Sequence, residues 1–390
     1  MQATAVTDNT PQRSEQIVPQ AQPQRFGHHP FLDGLRGFGM LFMLQFHSQG
    51  VVSHYLSGRG GWWYIELFFV LSGFLITSVL LDEQGRTKTV SLKNFYIRRA
   101  LRLLPALFVF MIAVAIINPS QCDHLIAAGL VATFYMSDFD VALGWGHVSR
   151  SGLDITWSLS VEEKYYAMWP AAVKFLRKKL IAVTLTCIAA CWLWRGYLAL
   201  HGATWFRLLL PIDMQIDSIM LGSLSAVLLW EPKSREFLTR HLSRKYVATA
   251  LFITLFVLMK HFGHPSTLTT AWSKFLYFDL RLPIFSILSA LAIISLYVTT
   301  KSWTKRLLST RFLTWVGDIS YSLYLWHSVA FWVIAGRIAG VPAELSGWTL
   351  AFAFAAASNC FIEKPFMRMR KLFSVDKPKA ARSAPEPASA

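Results

Sequence analysis

The stretch FLDGLRGFGMLFMLQFH, from Phe31 to His47, decides the fold of this chain because it begins polar, turns apolar and ends on a histidine. Arg36 and His47 are eleven residues apart, which in an α-helix amounts to three turns plus about 20° and a rise of about 16 Å. Both side chains therefore share one helix face. With Arg36 at one edge of a hydrocarbon core about 30 Å thick, His47 is expected near its middle.

A cation at the membrane edge and an imidazole inside the membrane favour a functional site, because ionisable groups within membrane spans are rare and mostly functional. The alternative is an arginine whose head reaches the interface and a buried, hydrogen-bonded histidine.

The composition of the whole chain indicates an all-α, polytopic membrane bundle. Of its 390 residues 54% are hydrophobic and 15% are charged, and the mean hydropathy is +0.40, well above what a soluble protein of this length needs. Apolar runs long enough to span the membrane predict ten helices. They lie at 32–51, 62–81, 101–118, 160–176, 180–199, 213–230, 246–262, 280–298, 313–336 and 345–363. A further apolar stretch at 124–136 is too short to span and is interpreted as re-entrant or interfacial.

The two ends have a different composition, so three segments are expected. Residues 1–27 and 373–390 are rich in polar residues, proline or alanine and are predicted to be disordered, whereas 28–372 form the membrane domain. No cleavable signal peptide is expected, so the first span also directs insertion. The four cysteines form no CxxC pair and have no companion histidine spacing, so no metal site is predicted.

Basic residues predict the orientation of the bundle. Five connections, including the one after the last run, hold 26 of the 38 lysines and arginines, and these are expected to face the cytoplasm together with both termini. The net charge of +16 then reflects topology and anionic membrane lipids rather than nucleic acid as a partner.

Several polar residues interrupt the apolar runs on the expected outer side. Glu66 lies on the second run, and Ser158 and Glu162 lie at the start of the fourth, where the carboxylates are placed to flank His47. Glu163 points about 100° away from Glu162 and is expected to meet lipid head groups or Lys164.

Two further runs carry polar candidates. Asp217 on the sixth run either contacts an acceptor or, with Asp213, favours the start of its helix through the helix dipole. His327 on the ninth run shares a helix side with Tyr321 and Tyr324, which form either part of a site or a packed aromatic stripe.

Arg98, Arg99 and Arg102 are expected at the cytoplasmic start of the third helix. Such a cluster suits phosphate groups, because guanidinium groups make forked, charge-assisted hydrogen bonds. The alternative is a purely topological anchor.

Two classes of membrane protein fit this distribution of charge. A transporter would use His47 and Glu162 as a proton relay. A membrane-embedded transferase would dock an anionic donor on the inner arginines and meet an acceptor entering from outside. No internal repeat is evident, which favours the transferase.

Six motifs carry a resemblance to the acyltransferase 3 family of integral membrane O-acyltransferases. In order along the chain they are LDGLRG followed by the Arg36/His47 pair, ELFFVLSGFLIT, FYIRRALRLLPA, TWSLSVEEKYY, GDISYSLYLWH and IEKPF. The resemblance implies transfer of an acyl group, usually acetyl, from cytoplasmic coenzyme A to a hydroxyl of a saccharide or glycolipid at a bacterial inner membrane. By position, Arg36 and His47 match the family's essential pair, Arg99 and Arg102 its RxxR motif, and Ser158 and Glu162 its SxxxE motif.

The chain departs from the family pattern at Glu66, where aspartate is common, and at Gln215, where an arginine is often found. Too little sequence follows Lys371 for the soluble SGNH-type domain of many members. The chain therefore resembles the stand-alone members, which modify lipopolysaccharide, exopolysaccharide, Nod factor or antibiotics.

The predicted mechanism is direct transfer with His47 as general base, because an imidazole has a pKa near the operating pH. Glu162 is expected to orient the His47 ring, and a covalent acyl-histidine is the alternative. The predicted assignments form three sets. The catalytic set is His47, Glu162, Arg36 and Glu66; the donor set, for acetyl-CoA or another acyl-CoA, is Arg98, Arg99, Arg102 and Arg36; the acceptor set is Ser158, Asp217 and His327.

Overall fold

The computed structural model describes residues 26–48, 63–117, 122–261 and 267–373, and in these ranges the chain is helical without a β-strand. The helices, in chain order, are α1 Pro30–Ser48, α2 Trp63–Thr87, α3 Leu92–Ile117, α4 Cys122–Thr133, α5 Ser137–Leu143, α6 His147–Ser151, α7 Thr156–Phe175, α8 Leu180–Leu200, α9 Trp205–Leu209, α10 Ile212–Trp230, α11 Pro232–Leu242, α12 Val247–His261, α13 Ala271–Phe275, α14 Leu282–Val298, α15 Trp303–Leu308, α16 Arg311–Asp318, α17 Ser320–Ile334, α18 Gly340–Ser358 and α19 Lys364–Met369. Single π-helical turns join α13 to α14 and α18 to α19.

Six helical segments in the described ranges are long and apolar enough to cross a membrane. They contain α2, α3, α8, α10, α14 and α18, and a seventh is added if α11 and α12, bent by 75° relative to each other, form one span. Each of the ten predicted runs coincides with a helix, but α1, α7 and the broken pair α16–α17 are absent from these six because they carry charged residues or an interruption. Across the ranges that the structure describes, the chain is thus all-helical with six or seven candidate spans.

Helix α1 is fixed by backbone contact with the segment that precedes α17. A Cβ atom on Gly34 would lie 1.5 Å from the Leu308 carbonyl oxygen, and a Cβ on Gly317 would lie 2.0 Å from that of Asp33. Because only glycine permits this approach, the helix that carries Arg36 and His47 is held rigidly against α15 and α16.

Helices α2 and α10 cross in the same way at the centre of the bundle. A Cβ atom on Gly73 would lie 1.9 Å from the Ile219 carbonyl oxygen, and a Cβ on Gly222 would lie 1.9 Å from that of Val70. Because only glycine permits this approach, these two positions fix the packing of α2 against α10.

The connection between α3 and α7 folds into short helices that brace the bundle. Helix α4 is too short to span, as predicted. Asp138 on α5 is buried, forms an ion pair with Lys164 of α7 and accepts a hydrogen bond from the backbone N–H of Ile212 at 3.1 Å. Burial raises the pKa of Asp138, and Lys164 partly opposes this effect. The two contacts of the carboxylate connect α5 to α7 and α10.

The described residues extend slightly beyond both ends of the predicted membrane domain, 28–372. Phe26 is buried against Phe74, Trp230 and Tyr297, and its backbone N–H donates to Asp82 at 2.9 Å. At the other end the Phe373 carbonyl accepts a hydrogen bond from Arg98. The rest of the tails predicted at 1–27 and 373–390 lies outside the described residues.

Candidate active site

A cavity of about 720 Å³ runs through the bundle between α1, α2, α3, α7 and α17. Its walls bring together residues that are up to 297 positions apart in the chain, from Gly27 to Tyr324. The predicted site residues that line it are Arg36, His47, Arg98, Arg99, Arg102, Ser158 and Glu162. Glu66, Asp217 and His327 do not line it.

His47 lies in the last turn of α1 and presents one ring nitrogen to the cavity. Its Nδ1 is 2.9 Å from the carbonyl oxygen of Met43. Because a carbonyl can only accept a hydrogen bond, Nδ1 carries the proton of the neutral ring and Nε2 keeps its lone pair. His47 is therefore arranged as a proton acceptor. Its ring lies beside Tyr64 in the first turn of α2.

His327 packs against His47 but does not line the cavity. The two ring centroids are 4.9 Å apart, and the Nδ1 of His327 is 2.6 Å from the Tyr324 carbonyl oxygen. The side chain is buried, and its Nε2 has no hydrogen-bond partner in the described part of the chain. His327 thus contacts the candidate base and is shielded from the cavity, where it was expected to meet substrate.

Arg36 and Glu162 lie together further along the cavity. Arg36 donates to Asp33 at 3.2 Å, and Asp33 is also 2.7 Å from His28. Glu162 accepts a hydrogen bond from Ser72 at 2.5 Å and is close enough to Arg36 and Arg99 for direct electrostatic interaction. No hydrogen bond joins Glu162 to His47, although both are within the described residues. The carboxylate predicted to orient the histidine is instead a neighbour of the arginines.

Arg99 is paired with Glu163 of α7. The guanidinium donates to Glu163 at 2.5 Å and lies 3.3 Å from the centroid of the Tyr166 ring. The expectation that Glu163 meets lipid head groups or Lys164 is wrong. Helix α3 begins at Leu92, nine residues before the predicted start, so Arg99 lies about 10 Å along the helix and reaches the level of Glu163.

The other two arginines are also anchored. Arg98 donates to the buried Glu83 at 3.1 Å and to the Phe373 carbonyl at 2.9 Å. Arg102 lies near the carboxylate of Glu363. The arginines therefore form a pre-positioned cationic wall whose charges are partly compensated by carboxylates.

Ser158 is held by the tyrosine that shares a helix side with His327. The hydroxyl of Tyr324 donates to the Ile155 carbonyl, so the Ser158 hydroxyl donates to the Tyr324 oxygen, 2.6 Å away. Tyr321 donates to the Leu103 carbonyl at 2.8 Å. The stripe on α17 is a packed, hydrogen-bonded wall of the cavity.

Asp217 and Glu66 belong to a buried polar network outside the cavity. Asp217 forms an ion pair with Arg195 at 2.8 Å, and both side chains are 1% exposed. Arg195 also binds Asp279 at 3.2 Å, whereas Glu66 accepts hydrogen bonds from Ser218 and Ser286. The acceptor contact predicted for Asp217 is not possible at this burial, because its oxygens face Arg195 of α8.

Arg195 is a buried residue to which the sequence reasoning assigned no role. It lies within α8 and is fully buried. Its signal was a charge inside an apolar run, which in a membrane span indicates a partner.

No group of three or more histidine, cysteine, aspartate or glutamate side chains that could hold a metal ion occurs among residues 26–48, 63–117, 122–261 and 267–373. The side chains that line the cavity supply an imidazole, hydroxyl groups, carboxylates and arginine cations.

The cavity brings an imidazole and several guanidinium groups together among helices, some of which are long and apolar enough to cross a membrane. The profile of a family described as "Acyltransferase domain" matches residues 29–362. The chain therefore belongs to the acyltransferase 3 family. This membership favours the transferase over the transporter.

Curated relatives are 28–29% identical to the chain over the aligned residues. The peptidoglycan O-acetyltransferase OatA of Listeria monocytogenes is 28% identical over 318 residues, which are 76% of this chain and 48% of that protein. The putative peptidoglycan O-acetyltransferase YrhL of Bacillus subtilis is 29% identical, over 77% and 48% of the two chains. A putative O-acetyltransferase of Staphylococcus aureus is 28% identical, over 88% and 58%. The chain spans about half the length of the curated relatives it matches. No solved structure matches it.

Proposed function

We propose that the protein is a membrane O-acetyltransferase that moves an acetyl group from cytoplasmic acetyl-CoA to a hydroxyl of a cell-envelope saccharide. The observation that carries the proposal is the shared cavity, which holds the free Nε2 side of His47 and the arginine cluster along one path. An anionic donor needs the cations, and transfer to a hydroxyl needs the base.

The donor is assigned to the arginine end of the cavity. Coenzyme A carries phosphate groups, which guanidinium groups bind in forked geometry. In the structure Arg99 is paired with Glu163 and Arg36 with Asp33. Both arginines are therefore held in place before the donor binds, and the donor's phosphate groups would replace these carboxylates as their partners. Glu162, next to Arg36 and Arg99, is assigned to positioning this cluster.

The transfer of the acceptor's proton is assigned to His47. Its Nε2 would take the proton of the acceptor hydroxyl as the oxygen attacks the thioester carbon, while the Met43 carbonyl holds Nδ1–H and fixes the ring. The imidazolium then returns the proton to the departing thiolate. The acceptor is assigned to saccharides because two relatives are named peptidoglycan O-acetyltransferases.

The direct test is a comparison of envelope glycans from cells with and without the protein. We expect loss of one acetyl mass increment from one glycan class when the gene is deleted, and its return with the wild-type chain. Identical glycan mass spectra in both strains would contradict the proposal.

A ten-span topology with cytoplasmic termini in a bacterial inner membrane completes the proposal, with residues 28–372 as the catalytic membrane domain. We expect cysteines introduced at the exposed positions Ser149 and Lys301 to react with impermeant maleimide from opposite sides, because five spans would separate them. The exposed Cys360 is first replaced by serine. Labelling of both positions from one side would show that α7 does not span and that the ten-span topology is wrong.

Arg99→Ala and Arg102→Ala are expected to weaken acetyl-CoA binding more than acceptor use, because forked phosphate contacts are lost. Lysine at either position should restore part of the binding, since it keeps the charge without the fork. Isothermal titration of the detergent-purified protein with coenzyme A measures the effect.

The Glu163→Gln variant tests whether Arg99 binds the donor or only forms an ion pair that stabilises the fold. If Arg99 binds phosphate, removing its carboxylate partner should leave coenzyme A affinity unchanged or tighter. Arg240→Ala, which removes an exposed cation paired with Glu236, controls for general loss of charge. Equal weakening by Arg99→Ala and Glu163→Gln would assign Arg99 to a structural role.

A further inference from the structure

Tyr64 lies at the start of α2, next to the candidate base. Its ring centroid is 6.1 Å from that of His47, with the ring planes at 67°. The side chain is 4% exposed, and what remains accessible faces the cavity. Tyr64 lies two residues before Glu66, the first residue of the motif ELFFVLSGFLIT. The sequence alone predicted no role for it.

The hydroxyl of Tyr64 has no hydrogen-bond partner within the described ranges. Four described tyrosines line the cavity, and two of the others donate to backbone carbonyls, Tyr324 to that of Ile155 and Tyr321 to that of Leu103. These two hydroxyls hold the cavity wall together. The phenol of Tyr64, which lies beside the base and lines the cavity, is available to donate to a bound molecule.

We propose that Tyr64 is a further catalytic residue, which donates a hydrogen bond to the thioester carbonyl oxygen as negative charge develops on it. The inference rests on the proposed function. The acceptor oxygen forms a bond to the carbonyl carbon, the C=O π pair moves to the oxygen that Tyr64 stabilises, and the acceptor proton goes to His47. When the pair returns, the carbon–sulfur bond breaks and the thiolate takes that proton.

The surroundings of Tyr64 strengthen such a hydrogen bond. Ile65, Phe68 and Phe69 line the same part of the cavity, and an apolar wall lowers the local dielectric around the developing charge. The arginines cannot replace Tyr64 without leaving their partners, since Arg99 is paired with Glu163 and Arg98 with Glu83. A neutral, fixed donor near the base is what the developing oxyanion requires.

The test compares Tyr64→Phe with Tyr297→Phe, which removes a tyrosine hydroxyl 3.5 Å from the Phe26 carbonyl and outside the cavity. The purified full chain in lipid nanodiscs is given acetyl-CoA and a panel of oligosaccharides that includes peptidoglycan fragments. We expect Tyr64→Phe to lower kcat by about 10²–10³-fold, as for the loss of one oxyanion donor, with little change in KM for either substrate. Tyr297→Phe should match the wild type.

A fluorinated tyrosine at position 64 keeps the size and the donor but makes the phenol more acidic. We expect its kcat to fall at a lower pH than in the wild type, because the ionised phenol cannot donate, whereas a packing role would leave the pH profile unmoved. A near-normal kcat in Tyr64→Phe, or a raised acceptor KM with unchanged kcat, would overturn the assignment. If the wild type transfers no acetyl group from acetyl-CoA although Tyr64→Phe is folded, the proposed function is wrong. The inference about Tyr64 is then wrong as well, because it rests on that function.

Discussion

His47→Gln is expected to abolish most transfer while leaving coenzyme A binding intact. Glutamine keeps a hydrogen-bonding side chain of similar reach but cannot accept a proton near neutral pH. Loss of a general base lowers the rate by about 10²–10⁴-fold, and the loss is larger if the histidine is acylated. Binding should persist because the arginines lie further along the cavity than the His47 ring. Steady-state transfer rates and coenzyme A titration of the same preparation measure both quantities.

His241→Gln is the matched control for this variant. The Nδ1 of His241 is 2.9 Å from the Phe237 carbonyl, four residues earlier, which repeats the local geometry of His47 on an exposed helix. It should leave transfer unchanged. A correctly inserted His47→Gln protein that acetylates at a near-normal rate would make His47 a structural histidine and direct attention to Glu162 and His327.

The helix that carries the base was predictable because its information is local. Helical periodicity placed Arg36 and His47 on one face, and both line the same cavity. The glycines at 34 and 37 also lie in this stretch, but their contact with Leu308 and Leu313 depends on a segment almost 280 residues away.

The pairing of charges was not predictable from the sequence. Arg99 and Glu163 are 64 residues apart, and the sequence assigned them to opposite membrane sides because the hydropathy of 101–118 marked only the apolar part of α3. A helix that continues through a polar first turn leaves no hydropathy signal, so the depth of its arginines was misjudged. The prediction for Glu162 failed for the same reason, because this carboxylate lies beside the arginines rather than beside His47.

The count of spans shows a related limit. Helices α1 and α7 carry polar residues that line the cavity, and neither helix is among the candidate spans. Function and hydropathy compete in these helices, since every cavity-facing charge lowers the apolarity of the segment that holds it.

Removal of Arg195 is expected to destabilise the bundle more than removal of any surface cation. Arg195 and Asp217 are both 1% exposed, and breaking a buried pair by deleting one partner costs about 3–5 kcal/mol because the other charge is left uncompensated. Arg195→Leu should lower the free energy of unfolding by this amount, measured by denaturation in bicelles. Arg240→Leu, at an exposed pair, should change it by less than about 1 kcal/mol.

The double variant Arg195→Leu/Asp217→Leu distinguishes a broken pair from a lost packing contact. Replacing both charges by apolar groups of similar size is often nearly neutral, so the double variant should be more stable than Arg195→Leu alone. Because neither residue lines the cavity, the folded fraction of each variant should keep its kcat. A stable Arg195→Leu protein that loses transfer would place the network in catalysis, and it would restore Asp217 and Glu66 as candidates for the reaction itself.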